Sequence, residues 1–230
     1  MRFHPGRAVA KPALALVYDL AGFSTFANRP DAAQWLPRYI NHVSQAIEVV
    51  VHGGVAYWID EDEEYDALQE PSHQKFLGDG ALNIWTGTNR EPLSSAFVAS
   101  LCDRLRDLRQ NFKAVVRAAS EKVQITDVPK EIRFGLALGD VHELRRTDAR
   151  QREYVGICIN LASRLQKYCP GIGFVGARIQ MSPSVRQRRD FVRAIAKRID
   201  GFETEYVLLD RYEYNTLDSK IRDKYFEALP

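Results

Sequence analysis

Apolar residues along this chain follow two rhythms. "PALALVYD" (12–19) is an unbroken apolar run that stops at an acid, the pattern of a strand buried on both faces. Further on, Trp35, Leu36, Tyr39, Ile40, Val43, Ile47 and Val50 recur at helical intervals, and Gly53-Gly54 closes that helix. "VAYWI" (55–59) reads as a strand, and "KFLGDGALNIW" (75–85) suits two short strands around a Gly-Asp-Gly turn. Phe97, Leu101, Leu105, Leu108 and Phe112 mark the buried face of a long helix over 92–118. A strand over 131–139, a helix over 155–169 and a strand-like segment from Phe174 follow. "SPSVRQRRDFVRAIA" (182–196) predicts a short helix and then a strand, and "TEYVLLDR" (204–211) a last strand. No repeat or linker divides the chain, so residues 1–230 are expected to form one domain with its core over about 13–210. Strands alternating with helices, with a hairpin among them, imply an α+β sandwich of the ferredoxin-like kind.

Composition narrows the setting more than the chemistry. A net charge of +2 gives no strong pull toward nucleic acid or membrane. Cys102, Cys158 and Cys169 form no CxxC pair and are odd in number, which argues against a disulfide framework or a zinc site. The five histidines show no HExxH spacing. Residues 1–12 lack the apolar core of a signal peptide, and the run 13–18 is too short to span a bilayer. A cytoplasmic protein is expected. "DEDEEYD" (60–66) carries six carboxylates in seven residues and reads as a solvated loop, with metal supply as the lesser alternative.

The candidate chemistry lies in four residues. Asp19 and Asp79 each end or interrupt an apolar strand, and each is followed by a glycine within three residues. If the two strands are neighbours, both carboxylates emerge at one sheet edge, where hard oxygen ligands suit Mg²⁺ or Mn²⁺ bridging to phosphates. "AGFS" after Asp19 opens a helix, so the amides at Gly22 and Phe23 are placed to receive phosphate. The plainer alternatives are that Asp19 caps that helix and that Asp79 only shapes a turn. Asn160 and Arg164, four apart, share one helical face. An amide and a guanidinium there fit a ribose and a phosphate, or simply a solvated face.

Taken in order, "LALVYDLAGFST", "KFLGDGALNIW" and "FGLALGDVHELRRTDARQREYVGICINLASRL" resemble the catalytic domain of class III nucleotide cyclases, the family of adenylate and guanylate cyclases. The resemblance covers residues 13 to about 210. It implies a head-to-tail homodimer of ferredoxin-like domains with active sites at the interface. It implies conversion of a nucleoside triphosphate to a 3′,5′-cyclic monophosphate and pyrophosphate with two divalent ions, Mg²⁺ or Mn²⁺. By the match, Asp19 and Asp79 are the metal ligands, Asn160 orients the ribose, and Arg164 is the transition-state arginine donated by the opposite subunit. Lys75 falls where adenylate-type enzymes place a base-recognising lysine and guanylate-type enzymes an acid. Glu153 falls at the second base-contacting position, where aspartate or threonine is common. Two departures stand out. Asp200-Gly201 offers an acid where the family often has a lysine for the terminal phosphates, with Lys197 or Arg198 as substitutes. The stretch between Gly54 and Lys75 is long, with the acidic segment inserted.

With no regulatory domain expected in the chain, the architecture resembles the free-standing pyrimidine cyclases of bacterial anti-phage defence, the Pycsar systems. Their cyclic UMP or cyclic CMP acts on a separate effector that senses the cyclic nucleotide. Tyr57 and Trp58 would narrow the base pocket if either ring reached it, though core packing is the plainer role. UTP is the expected substrate, then CTP, with ATP as rival. An inactive nucleotide sensor of cyclase-like fold is the alternative of another class. A nucleic-acid-binding module rests only on "RQRR" (186–189) and is not expected.

Overall fold

The computed structural model describes residues 9–59, 63–88, 93–121, 127–144, 153–180 and 189–229. Its organising element is strand β1 (Ala10–Leu20), which pairs antiparallel with β5 (Gly80–Thr86) on one edge and with β6 (Ile132–Leu144) on the other. β4 (His73–Phe76) pairs with β5 across the Gly-Asp-Gly turn. Beyond β6 lie β8 (Phe174–Ala177), parallel to it, and then β10 (Glu205–Asp210), β9 (Phe191–Ala196) and β11 (Phe226–Ala228). The strand order β6-β1-β5-β4, with α2 (Leu36–His52) and α3 (Ser95–Ser120) in the connections, is the ferredoxin-like βαββαβ arrangement. The expected α+β fold with an antiparallel-rich sheet is therefore the observed one.

The unbroken apolar run of β1 has its explanation in the two layers that cover it. Leu14, Leu16 and Tyr18 face α2 and α3 in one core. Ala13, Ala15 and Val17 face α4 (Ile157–Leu165) in a second core, with Leu161, Ala162 and Leu165 of that helix. The small residues on this second face let α4 lie close. A Cβ on Gly135 would stand 2.0 Å from the Ala162 carbonyl oxygen, so the helix rests directly on the glycine. α3 buries all five residues its spacing singled out, and Ser94 caps it by accepting from the Phe97 amide at 3.1 Å. The three cysteines are buried and form no disulfide, and burial pushes the Cys158 thiol up to about 11, so it stays protonated.

Several boundaries differ from the sequence reading. Tyr57 and Trp58 are not on a strand. β2 (Gly54–Ala56) stops before them, and the Ile59 amide turns back to the Ala56 carbonyl at 3.0 Å. Residues 60–62 of the acidic segment lie outside the described residues, but Glu63–Tyr65 is a strand, β3, paired with β2. Its Glu63 and Glu64 are exposed as expected of a solvated segment, whereas Tyr65 turns inward under the Arg104 guanidinium, 4.7 Å away. Val155 and Gly156 belong to strand β7 (Glu153–Gly156), which pairs with the far end of β6, so α4 starts two residues later than expected. Most of "RQRR" also lies outside the described residues. The C-terminal segment, with α5 (Arg211–Thr216), α6 (Ser219–Tyr225) and β11, had no sequence expectation attached.

Replacing Gly135 with alanine should lift α4 from the sheet and cost about 1–3 kcal/mol, as overpacking does. Urea unfolding of Gly135→Ala checks this, and an unchanged midpoint would show that α4 can shift freely.

Candidate active site

Asp19 is the penultimate residue of β1 and stands in register with Gly80 of β5. The Leu20 amide donates to the Asp79 carbonyl at 3.1 Å. The two acids thus share one end of one strand pair, as the sequence argument required. Both glycines of the turn are needed for backbone reasons. Gly78 has φ +101°, a region that L side chains avoid, and the Leu77 amide closes the turn on the Gly80 carbonyl at 2.8 Å. A Cβ on Gly80 would stand 1.8 Å from the Tyr18 carbonyl oxygen. The turn is built without help from the Asp79 side chain, which makes no hydrogen bond or ion pair among the described residues. Nor does Asp19 cap the helix that follows. Gly22, at φ +79°, heads α1 (Phe23–Ala27), which has no side-chain cap. Gly22 and Phe23 follow Asp19 closely in the chain, and the Ala21 amide bonded to the Glu131 carbonyl at 2.9 Å fixes their approach.

Asp19 has a partner that the sequence reading missed. Arg133, opposite it on β6, donates from Nε to Oδ1 at 2.8 Å and from Nη2 to Oδ2 at 2.6 Å. This two-pronged bond is strong, charge-assisted and only partly exposed. The signal was faint: one arginine in "EIRFGLALG", 114 residues from its partner. No three His, Cys, Asp or Glu side chains gather into a metal cage among the described residues. Two carboxylates, one of them unpaired, nonetheless suit a magnesium-type ion, which keeps waters and completes its shell with substrate phosphates. Asp79 is open to such an ion, whereas both oxygens of Asp19 are engaged by Arg133.

Lys75 and Glu153 meet. Lys75 projects from β4 and Glu153 from β7, and Nζ lies 3.4 Å from Oε1 although the residues are 78 apart in sequence. Beside them His73 and Tyr154 stack edge to face with centroids 5.7 Å apart. Tyr154 packs in the core on the α4 side of the sheet. Tyr57 lies elsewhere. Its hydroxyl bonds His42 on α2 at 2.9 Å, on the opposite side of the sheet, and Trp58 is buried against Tyr65. Within one chain, neither ring joins Lys75 and Glu153.

Asn160 and Arg164 lie on the exposed face of α4. Arg164 forms an ion pair with Asp200, Nη1 to Oδ2 at 3.4 Å. No hydrogen bond or ion pair among the described residues joins Asn160 or Arg164 to Asp19 or Asp79. Of the proposed cationic substitutes, Lys197 is engaged with the Asp223 carbonyl at 3.1 Å, and Arg198 sits in a left-handed conformation at φ +52°.

No family model matches the chain, and no curated protein does. Solved structures do. The adenylyl cyclase CyaB from P. aeruginosa superposes with a TM-score of 0.57 at 15% identity, over 93% of this chain and 97% of that one. The guanylyl cyclase Cya2 gives 0.55 at 17% identity, over 88% and 92%. A bacterial light-regulated adenylyl cyclase gives 0.55 at 15% identity, over 88% and 91%. The chain therefore has the class III cyclase fold.

Removing Arg133 should leave Asp19 half-buried without its counter-charge. Arg133→Met is expected to cost about 1–3 kcal/mol in urea unfolding. The double variant Asp19→Asn/Arg133→Met should cost less than the two single changes added together.

Proposed function

We propose that this chain is a nucleotide cyclase, converting a nucleoside triphosphate to its 3′,5′-cyclic monophosphate and pyrophosphate. The observation that supports it most is the junction of Asp19 and Asp79 at one strand end, within a fold shared with adenylyl and guanylyl cyclases. The ribose 3′-oxygen attacks the α-phosphorus, the bond to the bridging pyrophosphate oxygen breaks, and the hydroxyl proton leaves to solvent. Asp19 and Asp79 would hold the divalent ions, Mg²⁺ or Mn²⁺. When bound, such ions favour ionisation of the hydroxyl and offset phosphate charge. The amides at Gly22 and Phe23, without partners inside their helix, would receive a phosphate. Asn160 would fix the ribose, which supplies proximity, and Arg164 would offset the charge that grows around the α-phosphate.

The two halves of this machinery are expected to come from two copies of the chain. Arg164 turns to Asp200 rather than toward the acids. Phe76 and Leu77 beside Lys75, and Val155 and Ile157 beside Glu153, are all at least half exposed, an apolar rim that a second copy would cover. No helix among the described residues is long and apolar enough to cross a membrane.

For the base, Lys75 donates and Glu153 accepts. Every base edge offers an adjacent acceptor and donor, so this pair alone does not select among them. Reach does. A pyrimidine's edge ends closer to the sugar than a purine's, and glutamate carries its carboxylate one methylene deeper than aspartate. That supports a pyrimidine over a purine; we take UTP first and CTP next, in a cytoplasmic cyclase of bacterial antiviral signalling whose cyclic UMP acts on a separate effector. Tyr57 adds no support, since it turns to His42. ATP is the rival, because similarly folded proteins include adenylyl cyclases. One observation favours a second reading, an inactive nucleotide sensor: both oxygens of Asp19 are taken by Arg133.

Incubation with each of four triphosphates and Mn²⁺, read by chromatography, should yield mainly cyclic UMP. Exclusive cyclic AMP would overturn the pyrimidine reading. Absence of turnover with thermal stabilisation by a triphosphate would favour the sensor. Asp79→Ala and Arg164→Ala should each abolish turnover while the fold survives. Mixed in equal amounts under subunit exchange, half of the dimers are hybrid and keep one intact site, so roughly a quarter of wild-type activity should return. No recovery would count against a shared site.

A further inference from the structure

The acid at position 200 is placed on an arginine, not on a phosphate. Asp200 occupies the tip of the turn between β9 and β10, and that turn is tightly built. The Phe202 amide closes on the Ile199 carbonyl at 2.8 Å, Ile199 is buried, and Gly201 has φ +79°. Two residues earlier, Arg198 is itself held in the left-handed region at φ +52°. The other side of the pair is equally fixed at its base. Arg164 lies between Ala162 and Leu165, both buried against β1 and β6, so its Cα cannot wander. Only the long side chain of Arg164 is free to move, and the ion pair to Asp200 restrains it.

We infer that Asp200 is a positioning residue for Arg164, holding the guanidinium in one place on the face of α4 before substrate arrives. The inference rests on the proposed cyclase reading. An unrestrained arginine loses much rotamer freedom when it docks on a phosphate, and a preset one loses less. A simple repelling charge is the competing role, and local composition argues against it. Segment 164–167 and the turn 197–204 carry Arg164, Lys167, Lys197 and Arg198 against the two acids Asp200 and Glu203. The rim therefore stays positive with the acid in place, and what Asp200 adds is geometry. The pair is exposed, so its influence is modest and yields readily to a triphosphate.

The test uses the full chain with Mn²⁺ and whichever triphosphate it turns over. Asp200→Ala should lower kcat about two- to fivefold, the scale of an exposed ion pair, and leave KM within about twofold. Asp200→Glu should restore at least half of the loss. In an Arg164→Lys background, whose residual rate serves as the baseline, Asp200→Ala should have a smaller effect, because the fork it positions is gone. Circular dichroism and thermal midpoints establish that each variant folds. A lowered KM with unchanged kcat would make Asp200 a repelling charge and overturn the inference, as would an unaltered kcat or a full effect in the Arg164→Lys background. A wild type inert with all four triphosphates sinks the cyclase reading and this inference together. An active wild type with an unaffected Asp200→Ala sinks this inference alone.

Discussion

Strand β1 is hydrogen-bonded along both edges, and its register with β5 and β6 places Asp19 opposite Gly80 on one side and Arg133 on the other. A slip of one residue in either pairing would turn Asp19 to the other face of the sheet and bring it under α2 and α3. Two apolar layers prevent that slip. The even positions from Leu14 to Tyr18 and the odd positions from Ala13 to Val17 belong to different cores, so neither set can exchange places without burying the wrong volumes. The candidate site is thus held by the most constrained strand of the protein, although its chemistry lies at that strand's solvent end.

Glycine extends that constraint from the strand to its surroundings. Gly80 permits the close approach of the β4–β5 turn to Tyr18, and Gly135 permits the close approach of α4 to β6. One carries Asp79 to Asp19, and the other carries Asn160 and Arg164 to their places above the sheet. In both cases a missing side chain on one element sets the position of a polar side chain on the next.

Elements with one dominant signal were legible in the sequence: β1 from its unbroken apolar run, α3 from five residues at helical spacing, the hairpin from its two glycines. The acids Asp19 and Asp79 were legible because each interrupts such a run. What stayed hidden depended on partners distant in sequence. Tyr57 and Trp58 look like strand residues, but the ring of Trp58 finds Tyr65 and that of Tyr57 finds His42, which bends the chain away from a strand path. Tyr65, set among acids, is drawn inward by Arg104 on α3, which also donates to the Asp66 carbonyl at 2.7 Å. α5 and α6 are six and seven residues long, too short to show a period, and are held by contacts to distant elements, such as Arg109 of α3 on Glu213 at 2.8 Å. Arg133 escaped notice for the same reason: a single cation on a strand has no meaning until the sheet places it beside Asp19.

The candidate site is a set of charges that largely neutralise one another at rest. Asp19 is bonded to Arg133, Lys75 to Glu153, and Arg164 to Asp200. An isolated charge held at a partly covered surface is costly, and three pairs avoid that cost without any ligand. A triphosphate with its divalent ions brings both signs together. On the proposed reading each pair would be exchanged for substrate contacts, Asp19 turning to a cation, Arg164 to a phosphate, and Lys75 and Glu153 to opposite halves of a base edge, with Arg133 and Asp200 left to solvent. Such an exchange costs little where the pairs are exposed, as at Arg164, and more where the bond is two-pronged, as at Asp19. Releasing Asp19 from Arg133 would therefore cost more than releasing Arg164 from Asp200, so on that reading the metal-holding side is the more demanding half of the site to assemble.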